Sequence, residues 1–337
     1  MGSVIPLKKE IDNSYLRLKN LVGGKLENVT QRIKFKLASE INLIHKMTDY
    51  HVKSGGKRIR PLLTLASAKL CGYKDGNRDV NLAACIELIH NATLLHDDVI
   101  DNSSLRRGIE TANSVWGNQS SILVGDYLFS RCFEMMVEDG SQEILKLLSS
   151  TSSRIAQGEV LQLENKGEID LLEETYFNII NMKTAALFAA AAKVGACLAN
   201  KNKKEKEALE SYGRNLGLAF QIADDALDYL SLKTIFGKEI GKDFYEGKTT
   251  LPLIIIFQRG SDEERSFLKE IFKKKKRNED DFSETLSLIN KYKAVEASFK
   301  RAEYFVNVSY DALGLFQHSE EKKILQNLTE FSLNRSF

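Results

Sequence analysis

The chain has 337 residues and a formal net charge of +2, because 48 lysines and arginines nearly balance 46 aspartates and glutamates. This balance gives no sign of the strongly basic surface of nucleic-acid-binding proteins, so we expect no nucleic-acid partner. Only three prolines occur, and long stretches of Leu, Ala, Ile, Lys and Glu predict an all-α fold. Because no Pro/Gly/Ser-rich linker or shift of composition divides the sequence, we expect a single domain over residues 1–337.

The four cysteines are widely separated and form no pair with metal-ligand spacing, so we expect reduced thiols in the core of a cytoplasmic protein. No signal peptide opens the sequence. The apolar runs at residues 185–199 and 251–257 are interrupted or too short to span a bilayer. We therefore expect a soluble protein whose contact with a membrane is at most peripheral.

A helical stretch over residues 5–49 opens the chain, and a short basic segment follows it. Paired glycines and a proline accompany four cations within eight residues, which are Lys53, Lys57, Arg58 and Arg60. In a loop that leads into a helix, backbone N–H groups, the helix dipole and cationic side chains can together bind a phosphate. The alternative is an ordinary basic turn.

The helix predicted over residues 87–101 ends in three carboxylates, Asp97, Asp98 and Asp101. Its apolar residues recur at helical spacing, with no Pro or Gly to interrupt them. Asp97 and Asp101 are four residues apart, so both carboxylates lie on one face of the helix, where they repel each other. Hard oxygen ligands on one face suit Mg²⁺. The alternative is a solvated helix end.

Two arginines, Arg106 and Arg107, follow this cluster directly. Adjacent side chains point in different directions, so the pair can serve two different anions through bidentate contacts with phosphate oxygens. Further along, Lys183 and Thr184 lie within a helix rich in small residues. Small residues let helices approach closely, so this lysine either extends to solvent or points into a cavity.

A second acidic cluster, Asp224, Asp225 and Asp228, ends another apolar helical run and repeats the spacing of four. Two acidic helix ends across a cavity could hold Mg²⁺ ions that also bind a strongly anionic ligand, which predicts a diphosphate substrate. The loop that follows is rich in Gly and Lys. Its Lys238 and Lys248 could close over a phosphate.

These motifs occur together, and the set resembles the trans-polyprenyl diphosphate synthase family over residues 51–252. Besides the two Asp-rich clusters, the resemblance rests on Gly-Gly-Lys57-Arg58-Ile59-Arg60-Pro, Arg106-Arg107-Gly, Lys183-Thr184, Phe220-Gln221 and Gly-Lys248-Thr-Thr-Leu-Pro. It is strongest to bacterial long-chain members of the octaprenyl diphosphate synthase type. It implies an isoprenoid-synthase-type helical bundle around a deep central cavity, usually a homodimer. Such an enzyme joins isopentenyl diphosphate head-to-tail to an allylic diphosphate, here expected to be farnesyl diphosphate.

The resemblance also implies a role for each matching residue. Three Mg²⁺ ions would bridge the allylic diphosphate to Asp97, Asp101 and Asp224. The allylic diphosphate would be held by Arg106, Lys183, Thr184, Gln221, Lys238 and Lys248. Isopentenyl diphosphate would be held by Lys57, Arg60, His90 and Arg107, with Phe220 close by. The residues implied in catalysis are Asp97, Asp98, Asp101, Arg106, Lys183, Asp224, Asp225, Asp228 and Lys238. None of these positions departs from the family pattern, which favours an active synthase.

The residue types indicate the same chemistry without the resemblance. Metal ions and cations stabilise the charge on a departing diphosphate, and the isopentenyl double bond then attacks the allylic cation before a proton is lost to diphosphate. This reaction requires no protein nucleophile, and the sequence offers no Ser/His/Asp or Cys/His set. The alternatives are a terpene cyclase, which does not need the second basic group, a subunit of a heteromeric synthase, and a plain helical scaffold.

The helix before Asp97 also bears on product length. Ile89, Ala92 and Thr93 precede Asp97 by one to two turns, and we expect them to line the channel for the growing chain. Ala92 and Thr93 are small, so the chain should pass this level. The resemblance implies about forty carbons, for a quinone side chain, and a range of about thirty-five to fifty stays open. The alternatives are a shorter farnesyl or geranylgeranyl product, with the small residues serving only helix packing.

Overall fold

The computed structural model describes residues 5–53, 55–74, 76–106, 108–230 and 240–333, and in these the predicted all-α fold is confirmed. The helices are α1 (Ile5–Val22), α2 (Lys25–Lys36), α3 (Asn42–Lys53), α4 (Ile59–Leu70), α5 (Arg78–Ile100), α6 (Ala112–Trp116), α7 (Asn118–Asp139), α8 (Gln142–Glu164), α9 (Glu173–Ile180), α10 (Ala186–Leu198), α11 (Lys203–Leu227), α12 (Lys242–Glu246), α13 (Leu251–Arg259), α14 (Asp262–Lys273), α15 (Glu279–Lys291), α16 (Ala294–Ala312) and α17 (Glu320–Leu333).

Three short elements complete the described chain. A π-helical turn, Asn181–Ala185, joins α9 to α10, and a 3₁₀ turn, Leu313–Leu315, follows α16. The strands β1 (Leu105–Arg106) and β2 (Ile109–Glu110) form an antiparallel hairpin, in which Arg106 lies opposite Ile109. This hairpin comes directly after the first acidic cluster, so it carries Arg106 back towards the end of α5.

The helical stretch expected over residues 5–49 consists instead of three helices. α1 ends just before Gly23, whose φ of 57° lies in the left-handed region that glycine adopts at little cost. α2 ends at Lys36, and α3 begins only at Asn42. The paired glycines at positions 23 and 24 are the sequence signal for the first of these breaks.

The helix that carries the first acidic cluster, α5, is buried along most of its length. Apolar residues on all sides of a helix are typical of one enclosed by its neighbours. α5 packs mainly against α7, and α10 packs against both α4 and α11. Because α5 and α11 each end in an acidic cluster, this packing determines where the two clusters lie.

Buried apolar residues form two clusters. The first includes residues of α4, α5, α7 and α10, and the second includes residues of α13 and α14. Helix α11 contributes to both, with Leu209 and Leu216 in the first cluster and Ile222 and Ala226 in the second. A fully buried leucine or isoleucine contributes about 1.5–3 kcal/mol, so α11 is stabilised from both ends.

Small residues allow α10 to approach its neighbours closely. A Cβ atom at Gly195 would lie 2.4 Å from the backbone nitrogen of Ala68, and one at Gly213 would lie 2.3 Å from the carbonyl oxygen of Phe188. A side chain at either position would push two helices apart. The stretch Glu173–Leu198 has the length and composition of a membrane span, but 78% of its most apolar window is buried inside the protein, as in a core helix.

Candidate active site

A cavity of about 1490 Å³ opens between the helices and brings both acidic clusters together. The first cluster reaches it from the end of α5 and the second from the end of α11. The basic loop before α4, the hairpin, the π-helical turn and α12 also contribute to the lining. The cavity therefore collects residues from sequence positions 33 to 250 around one space.

The carboxylates of the first cluster do not share one environment. Asp97, Asp98 and Asp101 all line the cavity, but Asp98 is only 3% exposed and accepts a hydrogen bond from Arg106 Nη2 at 2.8 Å. Arg106 Nε also donates to Asp98 Oδ1 at 3.0 Å. Hydrogen bonds from two guanidinium nitrogens to one carboxylate fix the plane of the guanidinium, so Asp98 orients Arg106 at the cavity wall.

Asp97 and Asp101, the other two carboxylates of this cluster, differ in the charges that surround them. Burial raises the pKa of Asp97 to about 7; Lys183 opposes this rise, whereas Glu159 and Asp101 add to it. Burial also disfavours the charged form of Asp101, but Lys248, Lys183 and Lys242 together outweigh burial and lower the pKa of that carboxyl. Lys248 Nζ lies 2.8 Å from Asp101 Oδ2. Asp97 therefore lacks positive charge that a bound cation could supply.

The carboxylates of the second cluster also differ in their surroundings. Asp224 lines the cavity, and Asp228 accepts a hydrogen bond from the backbone N–H of Asp243 at 2.9 Å. Asp225 accepts two hydrogen bonds, from Tyr176 OH and from Gln221 Nε2, each at 2.7 Å. Burial raises the pKa of Asp225, the Asp243 carboxylate raises it further, and the two hydrogen bonds oppose both effects. An enclosed carboxyl with two protein partners is a poor candidate for a metal ligand.

The carboxylate chemistry of Asp97, Asp101 and Asp224 fits Mg²⁺, and the charge deficit at Asp97 favours a cation there. Within the part of the chain that the structure describes, no group of three or more His, Cys, Asp or Glu side chains is arranged to hold a metal ion by itself. Mg²⁺ commonly completes its shell with water and substrate phosphates. These residues therefore fit an ion that a diphosphate also binds.

Lys183 lies in the π-helical turn and reaches two partners on α8. Its Nζ donates to Glu159 Oε2 and to Gln162 Oε1, each at 2.8 Å. Helix α8 comes close because a Cβ at Gly158 would lie only 2.7 Å from the backbone nitrogen of Lys183. The π-helical turn, a feature frequent at functional sites, thus places this cation on the cavity wall.

The basic side of the cavity contains Lys57, Arg60 and His90. The guanidinium of Arg60 lies 4.5 Å from the ring centroid of Phe188, and that ring lies 5.4 Å from the ring of Phe220. A cation over an aromatic face is attracted by about 0.5–2 kcal/mol. Phe188 thus supports Arg60 on the cavity wall.

Most of the site residues predicted from the sequence line this cavity, and a few do not. Lining residues are Asp97, Asp98, Asp101, Arg106, Lys183, Thr184, Phe220, Gln221, Asp224, Asp225, Asp228, Lys248, Lys57, Arg60, His90 and Thr93. Arg107 and Lys238 lie outside the described residues. Ile89 and Ala92 are fully buried in the first core cluster and are not part of the lining. Their predicted role in product length stays a prediction. Of the three residues predicted to set product length, Thr93 is the one that lines the cavity.

Several lining residues were missed by sequence reasoning. Tyr176 and Phe188 lie in apolar runs. The sequence does not indicate that they belong to the site, because the residues they contact are distant in the chain. Lys242 belongs to the Gly- and Lys-rich loop, where its Nζ donates to Ser103 Oγ at 2.9 Å. That loop is a signal that could have identified it. Asp243 supports Asp228 through its backbone N–H, a contact that a sequence does not reveal.

Comparisons with known proteins agree on one family. A family model described as polyprenyl synthetase matches residues 41–289. The octaprenyl diphosphate synthase of Haemophilus influenzae is 35% identical over 331 residues, which cover 98% of this chain and 100% of that protein. The octaprenyl diphosphate synthase of Escherichia coli is 44% identical over 253 residues, covering 75% of this chain and 78% of that protein.

Shorter-chain enzymes and solved structures are similar as well. A short chain isoprenyl diphosphate synthase of Methanothermobacter thermautotrophicus is 35% identical over 294 residues, covering 86% of this chain and 90% of that protein. The crystal structure of a polyprenyl synthase from Caulobacter crescentus, complexed with calcium and isoprenyl diphosphate, superposes with a TM-score of 0.91. It is 41% identical and covers 96% of this chain and 98% of that one.

Proposed function

The chain belongs to the polyprenyl synthetase family and is a prenyltransferase, and we propose that it is a Mg²⁺-dependent synthase of the octaprenyl type. Members of this family use isopentenyl diphosphate and an allylic diphosphate. The observation that carries the proposal is one cavity lined by both acidic clusters and by two groups of cations. The isopentenyl group contains Lys57 and Arg60, and the allylic group contains Arg106, Lys183 and Lys248. One diphosphate needs one group of cations, so two groups support two diphosphate substrates.

Asp97, Asp101 and Asp224 would hold the Mg²⁺ ions, which we propose number three. When bound, these ions neutralise the charge that grows on the diphosphate oxygens as the allylic C–O bond breaks. The calcium in the Caulobacter crescentus structure supports a divalent cation in this fold.

The protein's own residues perform the remaining tasks. Arg106 and Lys183 bind the allylic diphosphate, and both are already oriented by carboxylates. Lys248 pairs with Asp101 and would exchange that carboxylate for a phosphate oxygen when the diphosphate binds. Arg107 and Lys238, which lie outside the described residues, keep their proposed roles at the isopentenyl and allylic diphosphates.

Part of the cavity wall would stabilise the allylic cation. The amide of Gln221, the hydroxyl of Thr184 and the ring of Phe220 line this wall. The isopentenyl double bond forms the new C–C bond with the cation, and a neighbouring carbon then loses a proton to the released diphosphate. Electrons from the broken C–O bond leave with the diphosphate, so no oxidant or reductant is needed.

We propose a product of about forty carbons, made from farnesyl diphosphate for a quinone side chain. The two octaprenyl diphosphate synthases at 35% and 44% identity support this length. A shorter product is the second candidate, which the short-chain relative at 35% identity supports. We further propose that the enzyme works in the cytoplasm and contacts a membrane at most peripherally, when the product leaves.

We propose a homodimer that uses the outer face of α7. This face exposes large apolar side chains, among them Leu123 at 67%, Phe133 at 49% and Val137 at 66%. A monomer rarely leaves several such residues together on one helix, so a second copy is a suitable partner. Sedimentation should then give twice the chain mass, and a monomer at micromolar concentration would contradict the proposal.

The direct test is an incubation of the purified chain with radiolabelled isopentenyl diphosphate, farnesyl diphosphate and Mg²⁺. We expect butanol-extractable product of octaprenyl length on reversed-phase plates, and none with chelator. The absence of any extractable product would exclude a self-sufficient synthase. A cyclic hydrocarbon formed from the allylic substrate alone would favour a terpene cyclase. Product that forms only after a second protein is added would indicate a heteromeric synthase.

The two groups of cations should be separable by kinetics. Lys57→Ala removes a cation from the isopentenyl group, and we expect the KM for isopentenyl diphosphate to rise about 10- to 100-fold. The KM for the allylic substrate should change by less than about twofold, because its cations stay in place. Lys74→Ala, which removes an exposed cation outside the cavity lining, is the matched control. Equal rises of both KM values would contradict the assignment.

A further inference from the structure

Tyr176 is a buried aromatic residue on α9 that the sequence does not connect with the reaction. It is 3% exposed, and its hydroxyl donates to Asp225 Oδ2 at 2.7 Å across 49 residues of sequence. Burial raises the pKa of the Tyr176 phenol well above its usual value, and the Asp225 carboxylate raises it further, so the hydroxyl keeps the proton that it donates. Tyr176 belongs to the second apolar core cluster and also lines the cavity.

The hydrogen bonds continue from Asp225 towards the proposed reaction centre. Gln221 Nε2 donates to the other oxygen of Asp225 at 2.7 Å, and Thr184 Oγ1 donates to Gln221 Oε1 at 2.8 Å. A carboxylate oxygen accepts the amide N–H₂, so the nitrogen end of the Gln221 amide faces Asp225. The oxygen end therefore faces Thr184. One chain of three hydrogen bonds thus connects Tyr176 with Thr184.

We propose that Tyr176 is a positioning residue, which acts through Asp225 to hold the Gln221 amide with its oxygen towards the reacting allylic carbon. This inference rests on the proposed function, because it assumes that an allylic cation forms beside Gln221. A carbonyl oxygen stabilises a nearby positive charge, whereas a reversed amide would present N–H groups and oppose it. Without the Tyr176 hydroxyl, Asp225 can rotate and the amide loses its fixed direction.

Tyr176→Phe removes the hydroxyl and keeps the ring. We expect kcat to fall about tenfold while both KM values stay within about twofold, since the diphosphate contacts are unchanged. The matched control is Tyr212→Phe. Tyr212 is fully buried, and its hydroxyl donates to the backbone oxygen of Leu325 at 2.7 Å, a bond that does not involve the cavity lining. Both variants should show a similar decrease in melting temperature, but the control should keep its kcat.

A double-mutant cycle separates positioning from general destabilisation. If Tyr176 acts through Gln221, then Tyr176→Phe should change kcat by less than about twofold in a Gln221→Ala background. A tenfold loss that persists in this background would overturn the proposal, as would an equal loss in Tyr212→Phe. Full turnover of Tyr176→Phe would refute the positioning role alone. An inactive wild-type chain would refute the proposed function itself, so the two failures are distinguishable.

Discussion

Replacement of Asp97 or Asp224 by alanine should lower kcat by at least roughly 10²–10³-fold, because each loses a carboxylate proposed to hold the catalytic Mg²⁺. The two residues lie on different helices, α5 and α11, yet both line the same cavity. Similar losses for the two variants are therefore expected. Near wild-type turnover of either variant at saturating Mg²⁺ would contradict its assignment as a metal ligand.

The same substitution at Asp97 should not destabilise the metal-free protein. Burial raises the pKa of Asp97 to about 7, above the value of about 3.9 in an unfolded chain. When folding raises the pKa of a carboxyl, that carboxyl lowers the free energy of unfolding at pH values above its unfolded pKa. The loss of stability reaches its full size at pH values above the folded pKa. Asp97→Ala should therefore melt at the same or a higher temperature at pH 8, and this advantage should disappear near pH 4.

Asp98→Ala provides the contrasting control. Asp98 is 3% exposed and accepts hydrogen bonds from two nitrogens of Arg106, so its removal leaves that guanidinium without its carboxylate. We expect this variant to melt at a lower temperature, since the half-buried guanidinium of Arg106 loses the carboxylate that it binds. Added Mg²⁺ should raise the melting temperature of the wild type more than that of Asp97→Ala. Equal Mg²⁺ effects on both proteins would exclude Asp97 as a ligand.

The contrast between Asp97 and Asp98 shows how far the sequence could predict the site. Both acidic clusters were expected at helix ends, and α5 and α11 end beside them as the apolar period predicted. Successive residues on a helix point about 100° apart, so adjacent aspartates cannot share one environment. This geometry explains why Asp98 is buried and paired with Arg106, while Asp97, which also lines the cavity, is only half-buried.

Partners that are distant in sequence could not be predicted in the same way. The contact of Tyr176 with Asp225 depends on the packing of α9 against α11, and the contact of Arg60 with Phe188 depends on that of α4 against α10. Periodicity assigns each residue to a helix face but does not say which helix will lie opposite. The all-α fold was therefore predictable, whereas these tertiary contacts required the structure.

Product length illustrates the same limit within one helix. Ile89, Ala92 and Thr93 were expected on one channel face, but Ile89 and Ala92 are fully buried among the apolar core residues. Thr93 lies four residues before Asp97, which is one turn or about 6 Å along the axis on the same face. Ala92 is five residues away, so its side chain is rotated well off that face. Of the three, Thr93 offers the direct test of the channel.

Thr93→Phe should shorten the product from octaprenyl length to about fifteen or twenty carbons, with activity retained. A phenylalanine at this level adds a ring to the cavity wall one turn below Asp97, and a close-packed wall cannot yield space for further carbons. Thr93→Val is the matched control, since it removes the hydroxyl that donates to the His90 carbonyl oxygen at 2.7 Å but keeps the side-chain size. Products separated on reversed-phase plates should shorten only in Thr93→Phe. An unchanged product distribution in an active Thr93→Phe enzyme would show that the growing chain does not pass this face of α5.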